Sequence, residues 1–205
     1  MSSKLPHSLA LVANARMPSQ RAQSLQVAQM TAAFQRAGFD STLVHALRNP
    51  PGPPLAPGVS LWEHYEAGEK PWPEAVAIPH FDWIDRFPVR AQFAPARLQE
   101  WSFSRNAARW IAMHRPDAMV LSREVEAARA LLTLRMEKIF LEIHRVPGGR
   151  LRRAWLKEVC EGVRGVLAIS EGIRDDLVED GYCAPEKIVV ERDGFAEQRF
   201  AKIPS

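Results

Sequence analysis

Apolar and polar positions along this chain follow two rhythms, and the switches between them mark out its elements. Ser8-Leu-Ala-Leu-Val12 is an unbroken apolar run, as in a strand buried on both faces. A polar stretch follows from Asn14 to Arg21. Val27, Met30, Phe34 and Ala37 then share one helical face, which predicts a helix over 25–37. Ser24 is its expected N-cap, and Gly38 stands where a left-handed C-cap is wanted. Ser41–His45 reads as a second strand. The alternation resumes at Gln99 with a helix over 99–114, stopped by Pro116, and a strand Ala118–Leu121. A helix Glu124–Leu134, a strand Lys138–Ile143, a helix over 151–162 and a strand Val166–Ile169 come next. Ser170 caps a helix that runs to Asp180 and stops at Gly181, and Ile188–Val190 is the last strand. Strands alternating with helices predict the α/β class: a Rossmann-like three-layer sandwich with a mainly parallel sheet of six or seven strands.

The stretch 49–98 breaks the rhythm. It holds ten of the 16 prolines, with Pro-Pro-Gly-Pro-Pro at 50–54, so long helices and central strands are not expected there. It also holds Trp62, Trp72 and Trp83, and flexible linkers carry few aromatics. The reading is an ordered insertion with one short strand near Ala75–Ile78. The tryptophans at 62, 72, 83, 101 and 110 are expected mainly in core packing, with sugar stacking or a membrane interface as the alternatives.

Composition narrows the class. With 205 residues the chain is long enough for one substantial core, and 46% hydrophobic with 25% charged residues excludes a disordered chain. The formal net charge of +3 does not imply nucleic-acid binding. Cys160 and Cys183 make no metal-ligand spacing and suggest a reducing compartment. No apolar run approaches the roughly 20 residues that span a bilayer, and the amino-terminal apolar stretch is too short for a secretory signal. A cytoplasmic location is expected, with a peripheral membrane contact left open.

In a doubly wound sheet, ligands sit beyond the carboxyl ends of the strands, so the loops there carry the candidates. Residues 13–24 contain no glycine, which excludes a dinucleotide fingerprint and a Walker loop. That loop instead offers Asn14, Arg16, Ser19, Arg21 and Ser24, whose guanidiniums and hydroxyls suit an anion or a sugar. Arg123 lies in the loop at 122–124, and Ser170 opens another. His144 follows its strand directly, beside Gly148-Gly149, and its imidazole can donate to or accept from a sugar hydroxyl or phosphate. Glu142 lies in the same strand, either buried and paired or at the cleft edge. His45 and His80 have no such placement.

The segment ALVANARMPSQRAQSLQVAQMTAAFQRAGFDSTLV resembles the amino-terminal part of family 4 retaining glycosyltransferases of the GT-B fold. So, more strongly, do IFLEIHRVPGG, GVLAISEGIRDDLVEDGYCAPEKIVVERDGF and AEQRF. The resemblance covers residues 8–48 and 117–200. It implies that residues 1–205 are a single amino-terminal, acceptor-binding domain, half of a GT-B fold. The full enzyme would take a nucleotide-sugar donor as substrate and use no cofactor or metal. His144 matches the family's loop histidine by the donor sugar and acceptor, and is the expected catalytic residue. Asn14, Arg16 and Ser24 match positions near the sugar and phosphates, and Asp193 belongs to the turn leading to the interdomain linker. The family's Gly-Gly pair is missing from the first loop, and Gln23 stands where a His is common. The second domain's Lys, Arg and paired glutamates are not met before Ser205. A donor-binding domain is therefore expected in cis or as a separate subunit, and this chain by itself is expected to be inactive. The implied partners are a sugar or glycoconjugate acceptor and that donor domain, with a homodimer left open. A non-catalytic module that kept the fold is the competing reading.

Overall fold

The computed structural model describes residues 7–48 and 55–191. Seven strands form one sheet: β1 (Ser8–Met17), β2 (Asp40–Leu47), β3 (Glu74–Ile78), β4 (Met119–Ser122), β5 (Ile139–Ile143), β6 (Gly165–Ala168) and β7 (Ile188–Val190). Their order is β3-β2-β1-β4-β5-β6-β7, and every pairing is parallel. The chain is thus a Rossmann-like α/β sandwich. The strand order reverses direction between β1 and β4, so the crevice of such a sheet falls there.

The helices are α1 (Ala22–Arg36), a single turn α2 (Leu61–His64), α3 (Phe93–His114), α4 (Val125–Thr133), α5 (Arg150–Gly162) and α6 (Glu171–Glu179). Alternation along β1 sorts the two faces. Leu9, Leu11 and Ala13 pack with Val27 and Ala28 of α1, and with Trp62. Ala10 and Val12 point the other way, toward Phe103, Ala107 and Ile111 of α3 and Leu131 of α4. Those three α3 residues recur every four positions, and the small Ala107 lets the helix approach the sheet. Arg115, at the end of α3, reaches Asp40 and Glu74 (2.9 Å), tying the helix to the starts of β2 and β3.

Several boundaries differ from the sequence expectation. β1 runs on to Met17 through a bulge: Ala13 pairs with His45 and Arg16 with Ala46, leaving Asn14 and Ala15 out of register. The expected polar loop is therefore partly strand, bent where bulges re-aim side chains. α1 starts at Ala22 with Arg21 as N-cap and no side-chain cap, so Ser24 is a buried first-turn residue rather than the cap. Its other end follows expectation. Gly38 has φ +95°, Phe39 N–H donates to Phe34 C=O at 3.1 Å, and the two phenyl rings meet edge to face. α3 begins at Phe93, inside the expected insertion, because Pro95 falls in the first turn, where its missing N–H is no loss. Trp62 is buried, as expected for core packing, but Trp83 and Trp101 are exposed. The Pro-Pro-Gly-Pro-Pro run lies outside the described residues.

Candidate functional site

The ends of β1, β4 and β5 line an open cavity of about 610 Å³. Its walls include Asn14, Arg21, Gln26, Arg123, Glu124, Glu142 and His144, with Arg145 and Arg152 at the rim. Four residues singled out from sequence, Asn14, Arg21, Arg123 and His144, are therefore brought together.

The floor is a buried ion pair. Arg123 Nε lies 3.1 Å from Glu142 Oε1, and both side chains are almost wholly withdrawn from solvent. Arg123 N–H donates to Val12 C=O at 3.0 Å, which fixes the residue over the switch point. One Nη2 proton goes to Gln26 Oε1 at 2.9 Å, anchoring the guanidinium to α1. Nη1 of Arg123 and Oε2 of Glu142 are buried without a protein hydrogen-bond partner, so the pair keeps the two N–H groups of Nη1 and one carboxylate oxygen unspent.

His144 stands on this floor. Its Nε2 is 2.5 Å from Glu142 Oε1 and within the same distance of Arg123 Nη2. A guanidinium only donates and a carboxylate only accepts, so Nε2 serves one at a time. With a proton it donates to Glu142, and without one it accepts from Arg123. That choice fixes what Nδ1 can offer to a ligand.

Glu124 was not singled out from the sequence. It sits in the turn after β4, where Ser122 Oγ donates to Glu124 C=O at 2.8 Å and accepts from Glu124 N–H at 3.2 Å. The bulge at Asn14 aims that residue's N–H at Glu124 Oε1, 3.2 Å away. Burial pushes the Glu124 carboxyl up to about 7, with Glu126 and Glu100 adding repulsion. The one sequence signal for it was its position at the switch point.

Asn14 lines the cavity, but its side-chain amide is committed. It donates to Gln99 Oε1 at 2.8 Å and accepts from Gln99 Nε2 at 2.7 Å. Arg16 turns out of the cavity to Asp82 (2.8 Å) and Asp85 (2.6 Å). Ser19 and Ser24 bond each other through their hydroxyls, and the Tyr65 hydroxyl holds Ser19 by donating to its C=O and accepting from its N–H. Ser19 and Arg21 also line a separate cavity of about 600 Å³ with Arg48 and His64. Ser170 caps α6 through its hydroxyl, accepting from Ile173 N–H. Asp193 lies outside the described residues. His45 is buried in β2. No cluster of three or more potential metal ligands occurs among the described residues.

Comparison with known proteins agrees with this architecture. The family model described as Glycosyltransferase Family 4 matches residues 23–195. A search of curated proteins gives no match. Among solved structures, a glycosyltransferase from Rickettsia africae ESF-5 superposes with a TM-score of 0.59 at 12% identity, covering 97% of this chain and 46% of that one. A sucrose-phosphate synthase from Thermosynechococcus elongatus gives a TM-score of 0.62 at 11% identity, covering 94% and 49%. A shorter chain of that synthase gives 0.58 at 13% identity, covering 95% and 93%. At these identities the likeness is one of fold, the GT-B fold of glycosyltransferases. This chain spans about half the length of the first two.

Proposed function

The chain belongs to Glycosyltransferase Family 4, and from that premise we propose that it is the acceptor-binding half of a retaining glycosyltransferase with a nucleotide-sugar donor. The observation that carries this reading is the Arg123–Glu142–His144 cluster, set at the switch point under an open cavity. A donor-binding domain, in cis or as a second subunit, completes the cleft.

In the transfer, the acceptor oxygen bonds to the anomeric carbon as that carbon's bond to the leaving phosphate oxygen breaks. Retention places both oxygens on one face of the sugar, so the acceptor's proton passes to the departing phosphate. His144 hydrogen-bonds the sugar or the acceptor hydroxyl beside this centre. Glu142 and Arg123 set which of its nitrogens carries the proton. Glu124, titrating near neutrality, offers the acceptor hydroxyl either a lone pair or a proton. The cations that stabilise a leaving diphosphate belong on the donor side, so the isolated chain turns over no substrate.

The test is calorimetry of this chain with UDP- and GDP-sugars, alongside a transfer assay. Weak or no binding and no transfer are expected. Micromolar affinity for a nucleotide sugar, or transfer by this chain alone, overturns the division of roles.

A further inference from the structure

Eleven large apolar side chains are exposed among the described residues, and six of them fall between Phe81 and Trp101: Phe81, Trp83, Phe87, Val89, Phe93 and Trp101. Val89 is 83% exposed and Phe93 74%. The loop from 79 to 92 is laid along α3 as far as Asn106. Phe81 N–H donates to Ser102 Oγ at 3.0 Å, and Asn106 Nδ2 donates to Pro79 C=O at 2.9 Å. The exposed groups thus gather beside roughly 20 Å of helix. Next to them a groove of about 800 Å³ runs between α3 and α5, edged by Phe93, Trp101, Trp155 and the 62% exposed Leu151. It shares Glu100, Arg145 and Arg152 with the His144 cavity, so it opens at the mouth of the crevice.

Arginines surround this apolar surface. Arg97 covers one face of the Phe93 ring at 5.3 Å, Arg105 that of Trp101 at 5.5 Å, and Arg129 that of Trp155 at 5.2 Å. The nearby carboxylates are paired, Glu100 with Arg97 and Glu126 with Arg152, while Asp82 and Asp85 share Arg16 and leave one negative charge that the unpaired arginines outnumber. Arg86, Arg90, Arg105 and Arg109 are exposed and make no ion pair among the described residues. The surface is therefore far more cationic than a chain of formal charge +3 would suggest.

We propose that the loop 79–92 and the first half of α3, with the start of α5, form an interfacial surface that seats on an anionic lipid bilayer. Projecting apolar tips enter the headgroup boundary, and the arginines meet lipid phosphates. Charge selects this occupant. A two-fold contact with a second copy would bring like cations together. A glycan or single strand would want free ring faces, and three of these rings have one face under a guanidinium. Seated so, the His144 crevice opens at the membrane surface.

The test is co-flotation of the full chain with vesicles of phosphatidylcholine alone and of phosphatidylcholine mixed with phosphatidylglycerol. Binding to the mixed vesicles only, weakening as salt rises, is expected. The double variant Arg86→Ala/Arg90→Ala should bind roughly 30-fold more weakly, at about fivefold per cation removed from the surface. Lys70→Glu changes the net charge by the same amount but lies before the start of β3, at the strand end opposite to the one from which the loop 79–92 leaves, and should bind as the parent does. Phe93→Ser should also release the vesicles, and thermal melts of all variants should match the parent because these side chains are exposed. No flotation, equal flotation with neutral vesicles, or equal losses in Lys70→Glu and the double variant overturns the proposal. So does a concentration-dependent dimer abolished by Phe93→Ser, or oligonucleotide binding with the same sensitivity and no flotation.

Discussion

Glu142 Oε1 and His144 Nε2 meet because residues two apart on an extended strand project to the same side. The end of β5 thereby builds a carboxylate–imidazole pair from local geometry. Arg123, arriving from β4, adds the cation that makes the buried carboxylate tolerable.

Removing Glu142 should first be felt as stability. Glu142→Ala leaves Arg123 charged and buried, which is expected to cost about 3–5 kcal/mol in urea unfolding. Glu142→Gln keeps the shape and should cost less, while lowering the turnover of the assembled enzyme by loosening the hold on His144. An alanine variant as stable as the parent would mean that the pair is open to water.

His144→Ala should lower the turnover of the assembled enzyme roughly 30- to 1000-fold, the equivalent of about 2–4 kcal/mol of transition-state stabilisation. Its melting temperature should change little, since the side chain is partly exposed. His45→Ala, which the sequence alone offers as a control, is unsuitable because His45 is buried in β2 and its loss opens a void. His114→Ala, exposed at the end of α3, is the matched control and should leave turnover unchanged. Equal losses in both variants would return His144 to a structural role.

Glu124 makes stability depend on pH in a definite direction. Its folded carboxyl titrates near 7, above the ordinary 4.5. Between these values the folded chain holds a proton that the unfolded chain releases, so stability falls as pH rises through the window. Glu124→Gln keeps an oxygen for Asn14 N–H and removes the penalty. It should raise the melting temperature at pH 8 by about 7–14 °C if the whole penalty is removed, with little gain near pH 4, where both states are mostly protonated. A gain of equal size at both pH values would contradict this account.

Gly149 carries φ +83° as the N-cap of α5, and a Cβ there would meet nothing within 4 Å. Gly149→Ala therefore isolates backbone strain from packing and should destabilise by about 1–2 kcal/mol in denaturant titration. A neutral effect would mean that the loop relaxes to negative φ.

The alternation of strands and helices was legible because the apolar period switches cleanly between them, and Gly38, Gly181 and Ser170 punctuate it chemically. What hid were places where tertiary pairing overrides local signals. Asn14–Arg16 look like a polar loop, yet Arg16 and Met17 pair with β2 beyond the bulge. Pro95 looks like a helix breaker but falls within three residues of a helix start. In the site, topology put His144 and Arg123 in view, since both follow strands directly. The engagement of Asn14 with Gln99 joins residues 85 apart, and that of Arg16 with Asp85 joins residues 69 apart. No local pattern announces such pairings.

The position of β1 at the middle of the sheet bears on how the chain is made. It leaves the ribosome before the other strands of this sheet, and its partner on one edge, β4, is synthesised only roughly a hundred residues later, which takes about 5–20 s at ~5–20 residues per second. If β1, β2 and β3 pair before β4 emerges, their sheet carries the long apolar run of β1 at its rim, a ready template for strand addition. Pairing with β4 closes that edge and in the same step carries Arg123 to the end of β1. Covering that edge and beginning to assemble the crevice are thus one event, the pairing of β4 with β1.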